Sequence, residues 1–293
     1  MIVSRLSQIG LLAAAMAACH APSTAQIEPM TAEDVAAAPE EWREVDADNL
    51  VVMETTKGRI ILELLPEAAP RHVEHFRSYV RQGLYDDTVF HRVIKDFMAQ
   101  GGDVEAAHGA DKMLEPLEAE FTFRRNPTEF PIDTIGPADS ASAGFYKGFP
   151  IRTQAQFLAE MSKDGQVETW IPHCPGVLSS ARTDDPNSAN AQFFLISKDG
   201  QHLDREYTAK GRVLQGLDVV QAIRLGPSPD GFPIPNPDVL QSAVMVSDME
   251  PESRPRVYVQ KTDTLAWQER RAAADQTRAK ICTLPIVPAV VVE

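Results

Sequence analysis

Positive charge is scarce in this chain: 28 Lys and Arg face 42 Asp and Glu across 293 residues, a formal net charge of −14. Nucleic acid is held by basic side chains that displace its counterions, so this balance argues against nucleic-acid binding and is what a solvated, soluble surface needs. Cysteine is rarer still, with only Cys19, Cys174 and Cys282, and none has a recognisable base to serve as its catalytic partner. There is no P-loop, no HExxH pair and no nucleophile elbow, which removes the commonest routes to phosphoryl transfer, zinc hydrolysis and serine acylation. What remains is an ordinary globular composition, 43% hydrophobic and 24% charged, with enough apolar material for a proper core. Twenty-two prolines against 16 glycines predict many turns and long irregular connections.

The first 25 residues read as an export signal. Arg5 supplies the positive n-region, Ile9 to Ala18 the apolar run, and small residues follow. That run is too short to span a bilayer as a mature helix. Two processing routes are open: cleavage after Ser23-Thr24-Ala25, or lipidation of Cys19 behind the lipobox-like Met16-Ala17-Ala18. Either route leads to the periplasm, with a lipid on Cys19 as the one expected link to the membrane. In that oxidising compartment Cys174 and Cys282 form a natural disulfide pair, the alternative being two separate buried thiols.

Residues 26–48 lack a sustained apolar period and read as a tether, so the folded domain is expected to begin near Asn49. Val51, Met53 and Thr55, then Ile60, Leu62 and Leu64, alternate about the turn Thr56-Lys57-Gly58-Arg59 and predict a β-hairpin. A helix is predicted next, from Pro70 to just before Gly83, with Val73, Phe76, Tyr79 and Val80 on its inner face. Strand patterns recur at 88–94, 97–100, 176–179, 193–196, 211–214 and 241–246, and a short amphipathic helix at 217–223. Many short strands and few helices favour a closed β-barrel or sandwich over a βαβ fold. Residues 104–173 form a long insert with little strand signal, loop-like at 126–150 and helical at 154–163; at that length it must carry local structure or function. After residue 247 a C-terminal extension is expected, with a helix capped by Asp263, running to about Lys280 and packing through Leu265, Ala266, Trp267 and Ala273.

The chemistry is concentrated in Phe90-His91-Arg92-Val93-Ile94-Lys95-Asp96-Phe97-Met98-Ala99-Gln100-Gly101-Gly102-Asp103. It sets a guanidinium, an amide and two large apolar side chains on adjoining strands, with two glycines allowing a sharp turn. Read for structure alone, Arg92 pairs with an acidic neighbour and Phe97 and Met98 are core. The run resembles the signature of cyclophilins, and Gly176 to Phe194, containing Ser180-Ala181-Arg182-Thr183 and Asn190-Ala191-Gln192-Phe193-Phe194, resembles the second half of the same signature. The likeness covers roughly residues 49–103 and 174–247.

The resemblance implies a mainly β fold: an eight-stranded antiparallel closed barrel capped by two α-helices, here with a long insert and a C-terminal helical extension. It also implies a peptidyl-prolyl cis/trans isomerase of the bacterial, exported kind. By the resemblance Arg92 is the catalytic residue; Phe97, Met98, Phe194 and Leu203 form the proline pocket, and Gln100, Ala181 and Gln192 contact the peptide. Arg182, His202 and Tyr207 stand at the groove's edge and far wall, where the family often has Asn, an aromatic residue and His. Lys210 occupies a position that is usually apolar, which predicts different local packing. No metal or other cofactor is implied. Proline-containing polypeptides are the expected partners of a monomer; a binding or chaperone module with little turnover is the competing reading. His72 and His75, at i,i+3 spacing, read better as solvated side chains than as metal ligands, and Asp184-Asp185-Pro186-Asn187 as a turn rather than a calcium loop.

Overall fold

The computed structural model describes residues 29–137, 140, 142–273 and 280–293. Residues 1–25, read from sequence as an export signal, and Cys19 within them lie outside the described residues. The described chain begins with α1 (Ala32–Ala37), where Thr31 and Asp34 close a capping box, and β1 (Trp42–Glu44). The tether expectation fails here. Trp42 is buried, and β1 pairs antiparallel with a strand more than 200 residues later in the chain, Trp42 opposite Gln260. Only a partner distant in sequence gives this polar segment its apolar contacts, which is why no local period announces them.

The predicted hairpin is β2 (Leu50–Thr55) and β3 (Gly58–Leu64). The helix α2 (Pro70–Arg81) follows, with Val73, Phe76, Tyr79 and Val80 buried as its spacing requires. The segment expected as one strand from Thr88 is divided into β4 (Thr88–Val89) and β5 (Arg92–Ile94), and β6 (Met98–Gly101) turns back along β5. The short helix α3 (Val104–His108) opens the insert. Far from lacking strands, the insert folds its own five-stranded antiparallel sheet from β7 (Phe123–Arg125), β8 (Asp133–Thr134), β9 (Ala143–Tyr146), β10 (Phe149–Thr153) and β11 (Val167–Trp170), in the order β7-β11-β10-β9-β8. The helix expected at 154–163 shortens to α4 (Leu158–Met161), with Phe157 and Met161 exposed.

The barrel resumes with β12 (Val177–Ser180), β13 (Phe193–Ile196), β14 (Ala209–Gln215), α5 (Leu217–Ala222) and β15 (Val239–Met245). Among the described residues its sheet runs β4-β15-β2-β3-β14-β12-β13-β6-β5. The two ends of that order, β4 and β5, are joined by only Phe90 and His91. Taken as one interrupted strand they make the ring eight-stranded, and curling removes the free edges that an open sheet would present. Inside, Phe193 meets Phe76, Tyr85 and Phe90 edge to face, Tyr85 lies tilted against Phe76 and Tyr79, and the Tyr85 hydroxyl donates to Ala191 O at 2.7 Å. Gly102 (φ +75°) must be glycine, since a Cβ there would lie 2.8 Å from the Phe193 ring.

The C-terminal extension is more strand than helix. After β16 (Arg256–Gln260) and α6 (Leu265–Ala273) the chain ends in β17 (Ala289–Val292), giving the three-stranded sheet β1-β16-β17. Thr264 rather than Asp263 turns a side-chain oxygen to the helix start, accepting from Trp267 N at 3.4 Å. The predicted helical stretch beyond Ala273 falls mainly at 274–279, outside the described residues. Trp267 is buried against Phe145 of the insert, whereas Leu265, expected to pack, is 67% exposed. Outside the barrel, Leu50, Val52 and Ile61 share a core with Phe145, Val257, Val259, Trp267 and Leu284. Insert and extension therefore cover the barrel's outer wall as one layer.

The pairing of Cys174 with Cys282 forms, with Cα atoms 4.8 Å apart, and ties the end of the insert to the extension across 108 residues of sequence. A loop of that length loses much unfolded-state entropy when closed. Cys282→Ala, or reduction, is expected to lower unfolding free energy by about 3–5 kcal/mol, read as a fall in the urea midpoint.

Candidate functional site

The β5–β6 hairpin positions the centre of the site. Arg92 and Gln100 face each other across it, and Gln100 in turn faces Phe194 of β13. The Arg92 guanidinium donates from Nη1 to Gln100 Oε1 at 3.2 Å and from Nε to Asp230 O at 3.0 Å, and Gln100 Nε2 donates to Gln192 Oε1 at 2.9 Å. The acidic partner that a structural role required is missing: Arg92 forms none of the ion pairs found among the described residues. Asp230 approaches because Gly231 (φ +76°) lies against β5, its carbonyl accepting from Val93 N at 3.0 Å; a Cβ there would sit 2.6 Å from Ile94 Cγ1.

Beside the guanidinium is an open hollow of about 210 Å³, lined by Arg92, Phe97, Met98, Gln100, Ala181, Arg182, Phe194, His202, Leu203 and Tyr207. Ten of the eleven residues singled out from sequence therefore meet at one place. The eleventh, Gln192, stands one hydrogen bond behind Gln100. Met98 and Phe194 are buried in the floor, Ile196 pairing with Met98 in the ladder. His202 lies against the Phe97 ring with centroids 4.9 Å apart, so an imidazole fills the wall where the resemblance led us to expect a larger aromatic. Tyr207 stands edge-on to Phe194 at 5.6 Å.

Sequence reasoning missed Phe121. The Arg182 guanidinium lies 4.5 Å from the Tyr207 ring centre and 5.6 Å from that of Phe121, and Nε donates to Glu206 O at 3.0 Å. Phe121 belongs to the insert and carries no motif, so no local signal could have found it. Around it the first turn of the insert clasps the segment that follows β12. Leu117 bridges to Ala189, Ala119 N donates to Asn187 Oδ1, and Asn190 Nδ2 donates to Leu114 O. Asp184 to Asn187 is a turn, with Asn187 N donating to Asp185 Oδ1 at 2.9 Å.

Two residues sit differently from expectation. His72 is not solvated: it is buried, with Nδ1 2.9 Å from Ser180 Oγ and Nε2 3.0 Å from Glu118 O. His75, half-buried, reaches Glu115 O at 3.1 Å. Lys210 does alter the local packing. Its fully buried ammonium donates to the same Ser180 Oγ at 2.9 Å and lies 4.6 Å from the Phe76 ring centre. Burial pushes the Lys210 amine down to about 7, and burial, followed by repulsion from Lys210, pushes His72 down to about 4.

A barrel with an external apolar hollow, rimmed by amides and by a guanidinium that pairs with no carboxylate among the described residues, can take a compact apolar group beside a hydrogen-bond donor. Comparison with known proteins agrees. Residues 50–245 match the family described as cyclophilin type peptidyl-prolyl cis-trans isomerase/CLD. A probable peptidyl-prolyl cis-trans isomerase of Brucella suis is 33% identical over 203 residues, 69% of this chain and 85% of that one. The peptidyl-prolyl cis-trans isomerase cyp18 of Streptomyces antibioticus is 34% identical over 59% of this chain and 82% of its own length. The crystal structure of cyclophilin AquaCyp293 from Hirschia baltica superposes with a TM-score of 0.83 at 46% identity, covering 90% of this chain and 98% of that one. The chain belongs to the cyclophilin-type peptidyl-prolyl cis-trans isomerases.

The depressed Lys210 and His72 set a pH dependence. Between about pH 7 and 10.5 the unfolded chain keeps a proton on Lys210 that the folded chain has lost, and His72 behaves likewise between about pH 4 and 6.5. Stability therefore rises with pH through both windows and is lost as pH falls through the folded values. Lys210→Met is expected to stabilise by roughly 1–3 kcal/mol at pH 6 and to flatten the rise between pH 7 and 10, measured as urea midpoints across pH.

Proposed function

We propose that this isomerase rotates X-Pro peptide bonds in exported polypeptides, with Arg92 as its catalytic residue and the Phe97, Met98, Phe194 and Leu203 hollow gripping the proline ring. The observation that carries this reading is the Arg92 guanidinium, bound among the described residues only by a carbonyl and an amide oxygen at the lip of an apolar notch.

The chemistry follows from the bond. Partial double-bond character sets a rotation barrier of about 18–20 kcal/mol, and uncatalysed X-Pro exchange takes tens to hundreds of seconds. At the half-rotated point the nitrogen loses conjugation and gains a lone pair that can accept a hydrogen bond. Arg92 offers that bond from a fixed place, while the notch holds the ring and the preceding carbonyl swings. A donor that binds the twisted amide better than either planar form lowers the barrier. Gln100 holds Arg92 and is itself held by Gln192, so the donor is oriented before substrate arrives. These steps call for no nucleophile and no electron transfer.

Export is supported by the n-region, apolar run and small-residue sites of residues 1–25 and by a disulfide that suits an oxidising compartment. Chain recovered from the cell envelope is expected to begin at Gln26 or at a lipidated Cys19, as read by intact mass. A chain beginning at Met1 in the cytosol would reject export.

Arg92→Ala is expected to lower kcat/KM on an X-Pro peptide by about 10²–10³-fold with little change in peptide affinity, measured by exchange NMR. Equal, near-background rates in wild type and variant would leave a binding module instead.

A further inference from the structure

One fully buried residue that does not line the hollow joins its floor to both ends of the segment that supplies its far wall. His173 follows the insert's last strand and precedes the disulfide-bonded Cys174. Its ring lies nearly parallel to that of Phe194, the hollow's floor, with centroids 6.1 Å apart and planes at 18°. Its backbone N–H donates to Asp204 Oδ1 at 2.8 Å, and its Nδ1 lies 3.1 Å from the same oxygen. A carboxylate can only accept, so Nδ1 carries the proton. The His173 carbonyl in turn accepts from Gly200 N at 3.0 Å.

Gly200 and Asp204 bracket the segment that supplies His202 and Leu203, and Tyr207 hangs from it through Tyr207 N donating to Leu203 O at 3.2 Å. A Cβ at Gly200 would lie 2.6 Å from Ile196 Cδ1 and 3.2 Å from His173 Cβ, so a larger residue there would crowd this contact. The wall residues therefore hang from two backbone anchors and one carboxylate, all meeting at His173. Among the described residues, the hydrogen bonds that hold the Arg92 guanidinium and the Gln100 and Gln192 amides to one another involve none of His173, Gly200 and Asp204.

We propose that His173 and Asp204 act together as positioning residues that hold the far wall of the proline hollow against its floor. The inference rests on the reading of that hollow as the prolyl site. Loosening the wall weakens the grip on the ring but leaves the Arg92 hydrogen bond in place, so the effect belongs in KM rather than kcat.

The test is steady-state kinetics on an X-Pro peptide, with near-UV circular dichroism to verify folding. Asp204→Ala removes both bonds and is expected to raise KM about 5–10-fold with kcat within about twofold of wild type. Asp204→Asn keeps an oxygen that can accept from both N–H groups and is expected to restore KM. Should Asp204→Ala fail to fold, His173→Phe keeps a ring against Phe194, loses only the Nδ1 bond, and is expected to raise KM about 2–5-fold. A folded Asp204→Ala, or failing that a folded His173→Phe, with wild-type KM overturns the proposal. So does an Asp204→Asn protein as impaired as the alanine variant, or a loss confined to kcat. Wild-type protein without turnover would instead overturn the prolyl-site reading, and this inference with it.

Discussion

The site depends on a cation held without a counter-ion. A guanidinium paired to a carboxylate has much of its hydrogen-bonding capacity and its field already taken up. Arg92 is held by a backbone carbonyl and the oxygen of Gln100, so it is oriented but not neutralised. Every element that places those two acceptors serves that end: the β5–β6 register opposes Arg92 and Gln100, Gln192 orients the amide, and Gly231 lets the Asp230 carbonyl come close. The surrounding hollow is apolar on its floor, which strengthens such a donor wherever water is displaced.

The segments outside the barrel pack onto it through shared apolar clusters. The insert's sheet, the disulfide and the floor of the hollow share one apolar cluster, in which Met98 and Phe194 lie with Phe149, Ile151, Ile171 and Cys174. A second cluster packs the C-terminal extension onto the outer face of β2 and β3. Where these layers meet, Glu63 is buried between Arg43, at 2.7 Å, and Arg212, at 3.5 Å. Removing one member of such a group would strand the others in low dielectric, so the cluster ties β1, β3 and β14 into one arrangement.

Much of the site was legible because it is local. Arg92, Phe97, Met98 and Gln100 fall within nine residues, on two strands and the tight turn that joins them, and Arg182 to Phe194 within thirteen. Departures from expectation arose where partners are distant. β1 looked like a tether because its partner β16 is more than 200 residues away, and the insert looked loop-like because its strands are two to five residues long, too short for a period to declare itself. His72 looked solvated because two spaced histidines on a helix say nothing of the Ser180 and Lys210 packed above them.

Composition, the two signature runs and the cysteine pair together determined the acidic balance, the barrel and the identities of the groups around the hollow, since each depends on residue type or on neighbours close in the chain. That Arg92 has no acid beside it, that Phe121 backs Arg182, and that His173 joins floor, wall and disulfide were decided by tertiary structure alone. The physical reason is the same in each case: these contacts join segments whose separation in sequence carries no periodic signal, and only the closure of the barrel and the docking of the insert bring them within bonding distance.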